Sequence, residues 1–167
     1  DMAALAGIAT RHRLLIVEDC CQAHLATCAG APVGTIGAAG AFSFYPTKNL
    51  GALGDGGAVV TNDAALAAKL RRIRNGGQTT RYHHGEFGVN SRLDEMQAAI
   101  LRARLPRLAG WTAARRALAA RYRDRLAAAP VTVPPEYDPG HVYHLFPILT
   151  ATRDALQARL AAAGVET

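Results

Sequence analysis

The fold class predicted for this 167-residue chain is α/β. Three observations predict it. A helical pattern over residues 2–12 runs into the continuous apolar stretch Leu14-Leu15-Ile16-Val17, the order of a helix followed by a buried parallel strand. A second extended stretch, Ala41 to Tyr45, is stopped by Pro46, which removes a backbone donor and fixes φ. A third, Ala58 to Thr61, leads into another helical pattern.

In chain order, residues 2–12 place Leu5, Ile8 and Ala9 at helical spacing. The strand at Leu14 to Val17 ends in Glu18-Asp19, so an acid stands at the carboxyl edge, where α/β sheets keep their ligands. A carboxylate there can pair with a buried cationic ring nitrogen, or simply be solvated. Gln22 and His24 follow in a short turn or helix, where backbone hydrogen bonding or capping would also account for them. Gly30 to Gly40 reads as loop with one short extended piece. Its glycines are spaced G-x-x-G-x-x-G, not as the dinucleotide fingerprint, and no Walker A sequence is present. Asn62 is the expected cap of a helix from Asp63 to about Arg74, ended by Gly76-Gly77. Gln78 to Asn90 is polar loop, with Tyr82, His83, His84 and Glu86 available to a ligand or partner. Helical period returns at Leu93, Met96, Gln97, Ile100 and Leu101, and Pro106 interrupts it. A long amphipathic helix is expected from Leu108 to Ala129, with Leu118, Tyr122 and Leu126 on one face. A strand from His141 to Leu149 and a helix from about Thr152 to Ala163 complete the chain. The domain boundary falls near Pro106 to Ala109, dividing residues 1–106 from 107–167.

The chemistry concentrates in Ala41 to Gly57, AFSFYPTKNLGALGDGG. Of 19 basic residues in the chain only Lys48 and Lys69 are lysine; the rest are arginine. Arginine supplies the ordinary surface charge. A lysine inside an uncharged, glycine-rich turn points to something a guanidinium cannot do, and forming an imine with an aldehyde is the leading candidate. Gly51, Gly54, Gly56 and Gly57 follow it; glycines allow positive φ and close approach of backbone N–H groups to a phosphorylated ligand. A glycine-rich turn carrying a solvated lysine is the alternative.

Composition narrows the class. The formal charge of +6 arises from arginines dispersed along helices without interleaved aromatic residues, a solvated face and not a nucleic-acid surface. No apolar run approaches the ~20 residues that span a membrane and no signal peptide is visible, so a cytoplasmic protein is expected. Cys20, Cys21 and Cys28 fit neither a disulfide framework nor a zinc spacing, and no metal site is expected. Asp1 lies one residue from a helical pattern and Thr167 just after another, so the chain reads as a fragment of a longer protein.

Taken together, VEDCCQAH at 17–24, GTIGAAGAFSFYPTKNLGALGDGGAVVTND at 34–63 and GVNSRLDEMQAAIL at 88–101 resemble the DegT/DnrJ/StrS-type sugar aminotransferases, pyridoxal-phosphate enzymes of fold type I. With HVYHLF at 141–146 the resemblance covers essentially the whole chain. It implies part of a large-domain sheet with flanking helices, a bridging helix and the start of a small α+β domain. It implies Lys48 as the Schiff-base lysine, Asp19 paired with the pyridine nitrogen of pyridoxal 5'-phosphate, Gln22 by the cofactor's phenolic oxygen and Ser43 on its phosphate. Asn90 resembles the residue that reaches a phosphate in the neighbouring subunit, which implies a homodimer. The substrates implied are a keto sugar, nucleotide-linked or a cyclitol, and glutamate or glutamine as amino donor. Leu25, Cys21 and Cys28 depart from the small or aromatic residues usual at their positions, and the family's first half of the large domain, with a stacking aromatic and a helix N-terminus for the phosphate, does not precede Asp1. Two other functions compete: a same-fold sugar dehydratase, in whose sequences the lysine gives way to histidine, and a truncated, non-catalytic basic binding module.

Overall fold

The computed structural model describes residues 1–167. Helix α1 (Met2–His12) is capped by the Asp1 carboxylate, which accepts from the Ala4 N–H, and it ends at Arg13 in the left-handed conformation. The apolar run that follows pairs later than its hydropathy predicts. Strand β1 is Val17–Asp19, while Leu14, Leu15 and Val17 stay exposed, because no other element of this chain covers that face. The hairpin β2 (Thr27–Cys28) and β3 (Ala31–Pro32) precedes β4 (Ala39–Ser43), and β5 (Gly57–Val60) follows. The order in the sheet is β1-β4-β5. β1 runs parallel to β4, with Asp19 opposite Ala41, and β5 returns antiparallel with Gly57 opposite Ser43. The central strand is therefore Ala39–Ser43, two residues earlier than the pattern places it, since Phe44 already bonds back to Gly56 and Ala52.

The loop before β4 is tied to β1 by one side chain. Glu18 is buried at 7% exposure, and its two carboxylate oxygens accept from the N–H groups of Gly34 (2.7 Å), Ile36 (2.8 Å) and Gly37 (2.7 Å). Burial alone would raise its pKa; the hydrogen bonds from Gly37, Gly34 and Ile36 outweigh that and hold it below the ordinary carboxylate value.

Helix α2 (Ala64–Ile73) is capped by Asp63, not Asn62: the aspartate accepts from Ala65 and Leu66, whereas the Asn62 amide bonds to Thr35 in the preceding loop. Gly76 and Gly77, both at positive φ, end the segment as expected. The polar loop contains a small hairpin, β6 (Gln78–Thr80) and β7 (His83–His84). Helices α3 (Glu95–Arg104) and α4 (Leu108–Leu126) are joined by a 3-10 turn containing Pro106. On α4 the buried positions are Leu108, Thr112 and Ala119, whereas Leu118 and Tyr122 are half exposed. No helix is long and apolar enough to cross a membrane. The expected strand from His141 to Leu149 does not form: Leu149 alone makes an isolated bridge, with Thr132, and Tyr143 takes a positive φ that extended backbone does not allow. Helix α5 (Arg153–Ala162) closes the chain.

The core is small and sits behind the lysine loop: Leu50 and Ala52 pack on Leu101 and Leu108, with Phe44, Leu93 and Trp111 at its margin. The accessible surface is 11972 Å², against about 7,900 Å² for a compact monomer of this mass. Both edges of the sheet are open, and Val17, Val59 and Val60 lie exposed along them.

Two predictions follow from this packing. Glu18→Gln in the complete protein leaves at least one of three buried N–H groups facing an amide, and is expected to cost roughly 2–3 kcal/mol, read as a lower Tm. Because the folded pKa is depressed, the carboxylate's contribution is complete above about pH 4.3 and is lost as the pH falls through the folded value, so the Tm gap between wild type and variant should narrow in acid. An unchanged Tm at pH 7 would remove Glu18 as the anchor of the loop. Separately, residues 1–167 expressed alone are expected to associate through their open edges and apolar surface; size-exclusion chromatography showing a monodisperse monomer would overturn this.

Candidate active site

Three of the predicted residues converge at the carboxyl edge of the sheet. Successive side chains on a strand face opposite ways, so Glu18 turns into the loop it anchors while Asp19 faces out from the strand end. Asp19 Oδ1 accepts from the Cys21 N–H at 3.0 Å. The Cys21 thiol lies between this carboxylate and the Ala41 carbonyl, 3.7 Å away; its single proton favours the charged acceptor. These contacts from the thiol and amide of Cys21, with the positive charge of Lys48 adding to them, hold Asp19 below the usual carboxylate range. It is ionised at neutral pH.

Ser43 ends β4, two residues beyond the position opposite Asp19, a separation of about 6.6 Å along the strand. Its Oγ accepts from the Tyr45 N–H at 3.2 Å, which leaves its own hydroxyl proton free to donate. The chain then leaves the sheet through a turn closed at its base by Ala52 N–H to Phe44 O (2.7 Å), with Lys48 N–H bonded to Tyr45 O (2.9 Å) inside it. Lys48 is partly buried. The two ion pairs of the chain are Arg72–Glu86 and Arg153–Asp154, so no carboxylate stands within 4.0 Å of the lysine nitrogen. Lysine charge does reach Asp19, Cys21, His24 and His144, which ring the same space.

The loop glycines work differently from the expectation. None of Gly51, Gly54, Gly56 and Gly57 has positive φ. A Cβ at Gly51 would collide with the Pro46 carbonyl, and one at Gly56 would come within 2.9 Å of Leu93. The missing side chains make room for the protein's own turn and core, which fixes the backbone on both sides of Lys48.

Gln22 is exposed in the turn after β1, and its amide makes no hydrogen bond within the chain. Asn90 stands apart from this cluster: its backbone bridges Asn75 after α2, and its side chain is exposed. Residues that the sequence reading did not select also shape the site. Gln97, on α3, accepts from the Leu53 N–H (2.9 Å) and so pins the lysine loop to the helix. Asn49 and His144, buried and half-buried, join the loop to a segment more than ninety residues later. His24 is buried against Phe42 and Phe44, with both ring nitrogens lacking a hydrogen-bond partner. Burial lowers its pKa, opposed by the Ser43 backbone. Burial, with the adjacent acids Glu18 and Asp19, pushes the Cys20 thiol up to about 11, so it serves as packing. The three cysteines are free, and no His, Cys, Asp or Glu cluster is arranged to hold a metal.

The arrangement fits pyridoxal phosphate. An ionised carboxylate, a free serine proton and a lysine without an anionic partner stand at one sheet edge. The fold is part of fold type I. The chain belongs to the DegT/DnrJ/EryC1/StrS aminotransferase family, whose model matches residues 1–167. It is 52% identical to a dTDP-3-amino-3,4,6-trideoxy-alpha-D-glucose transaminase of Streptomyces venezuelae, covering 100% of this chain and 45% of that protein. It is 48% identical to a UDP-N-acetyl-3-dehydro-alpha-D-glucosamine 3-aminotransferase of Acidithiobacillus ferrooxidans, over 99% of this chain and 45% of the relative. The structure is similar to that of S. venezuelae DesV in complex with a ketimine intermediate, with a TM-score of 0.94 and 50% identity, over 99% of this chain and 45% of that one. The chain thus spans about half the length of the relatives it matches.

Proposed function

We propose that this chain carries the lysine-bearing part of an aminotransferase that moves an amino group from glutamate or glutamine to a keto sugar, nucleotide-linked or a cyclitol. The observation that carries the reading is Lys48: an amine in a rigid turn, without a carboxylate within 4.0 Å, at the same sheet edge as an ionised Asp19. The family and its dTDP- and UDP-sugar relatives support the substrate class.

Pyridoxal phosphate would supply an aldehyde and a conjugated ring able to take up an electron pair from the substrate. This chain's own groups then divide the work. Asp19, ionised, would hold a proton on the ring nitrogen. Ser43 would donate its free hydroxyl proton to a phosphate oxygen, and the exposed Gln22 amide would meet the phenolic oxygen. Lys48 would hold the cofactor through its amine and, once that amine is freed, would be the group that moves the proton at the donor's Cα.

A homodimer and a cytoplasmic location complete the reading. The open sheet edges, the exposed Asn90 and the fully exposed Phe87 support a second subunit. Residues 1–106 then form the later part of the cofactor domain, and 107–167 the bridging helix with the start of the small domain; the 3-10 turn at Leu105–Arg107 supports a joint there.

Borohydride treatment of the complete, cofactor-loaded protein is expected to fix the cofactor on Lys48, read by peptide mapping. Label on Lys69, or none on the loaded protein, would sink the assignment. Asp19→Asn is expected to retain the cofactor while lowering kcat by a hundredfold or more, about 2.7 kcal/mol of lost transition-state stabilisation; near-normal turnover would reduce Asp19 to a solvated strand-end acid.

A further inference from the structure

The residue next to the lysine is a buried asparagine whose partners lie far along the chain. Asn49 is 2% exposed. Its Nδ2 donates to the Val142 carbonyl at 3.3 Å, and its Oδ1 faces His144 Nδ1 at 3.0 Å. A carbonyl oxygen only accepts, so the Val142 contact fixes which way the amide points. Oδ1 is thereby turned to the imidazole, and His144 Nδ1 must carry the proton. Burial, with Lys48 in the loop and Arg115 on α4 adding positive charge, keeps the ring below the ordinary histidine range, and burial does the same for His24. The pair is thus a single fixed tautomer on one buried amide.

The same late segment has a second, independent attachment. Asp138 accepts from Ala29 N–H (2.7 Å) and Gly140 N–H (2.6 Å), and Thr27 N–H reaches Gly140 O (3.3 Å). That attachment ends on the β2–β3 hairpin. Only the contacts of Asn49, to His144 and to the Val142 carbonyl, end beside the lysine. Plain attachment is already provided by Asp138, and an apolar residue at 49 would suit the neighbouring Leu50 and Ala52; a buried amide adds orientation.

We propose that His144, acting through the Asn49 amide, is a positioning residue for Lys48, fixing the backbone from which the amine projects so that its approach to the reacting carbon depends on the 138–146 segment. This rests on Lys48 being the imine-forming residue. Displacing a reacting group by about 1 Å costs on the order of a hundredfold in rate, whereas substrate contacts elsewhere are untouched, so the loss falls on kcat.

The test uses the complete enzyme and four variants. His144→Phe keeps the ring volume without the N–H, Asn49→Ser removes the same pair together with the Val142 contact, His144→Asn returns an N–H near the Nδ1 position, and Asp138→Asn weakens only the second attachment. H144F and N49S are expected to lower kcat by about tenfold to a hundredfold with the sugar KM within about threefold, and H144N to recover most of the loss. Hydrogen exchange on the cofactor-free protein is expected to quicken by at least about threefold in residues 44–53 of H144F and N49S, and not in D138N. Normal kcat and unchanged exchange in both H144F and N49S, or equal losses in D138N, would overturn the proposal; so would failure of H144N to recover. Because the exchange measurement needs no cofactor, it separates failure of this contact from failure of the Lys48 assignment, which the borohydride label reads by itself.

Discussion

Three backbone N–H groups converging on the Glu18 carboxylate are the contact on which the rest of this structure depends. The loop they belong to precedes β4, and β4 carries both the partner register for Asp19 and the side chain of Ser43. Without this anion, the N–H groups of residues 34, 36 and 37 would have no partner within the chain. Two adjacent acids therefore have opposite duties, assigned by the two-residue period of the strand. Glu18 turns inward and organises backbone, and Asp19 turns outward to the exposed face.

The second constraint is the position of the core. With 18 of 167 residues buried, the chain cannot draw its order from a large apolar interior, yet the interior it has sits under the lysine turn. Leu50 and Ala52 are part of the loop itself, and they face Leu101 and Leu108 at the joint between α3 and α4. Gln97 adds a directional contact to Leu53. The helices after residue 94 thus act as the platform for the turn, which is why a loop rich in glycine has no positive φ at its glycines and a single path.

Much of the architecture was legible from local signals. The helix at 2–12, the strand-loop-strand unit around Lys48 and the Gly76-Gly77 stop follow from period, proline and glycine, and the structure shifts their ends by no more than two residues. The run Leu14 to Val17 is different, because hydropathy reports what a segment would bury and not what covers it. The Asn62 cap gave way to Asp63 because both residue types can cap, and the Thr35 carbonyl claims the asparagine. Lys48, Asp19 and Ser43 stood out by residue type in an unusual setting. Glu18, Asn49 and His144 did not, since each matters through a partner 16 to 95 residues away that no local pattern records.

The electrostatics of the site follow from the same long-range packing. Lys48 brings a positive charge into a partly buried turn, and two imidazoles lie close enough to feel it. Were either histidine to ionise, its charge would oppose the lysine and compete with it for Asp19. Burial prevents this at His24 and, together with Lys48 and Arg115, at His144, so both remain neutral at physiological pH. Asp19 is left as the ionised acid whose charge couples to the lysine, held in that state chiefly by the Cys21 thiol and amide. An ionised acid, an amine outside any ion pair and neutral imidazoles nearby are complementary in charge to a ligand that carries both a protonated ring nitrogen and an electrophilic carbon.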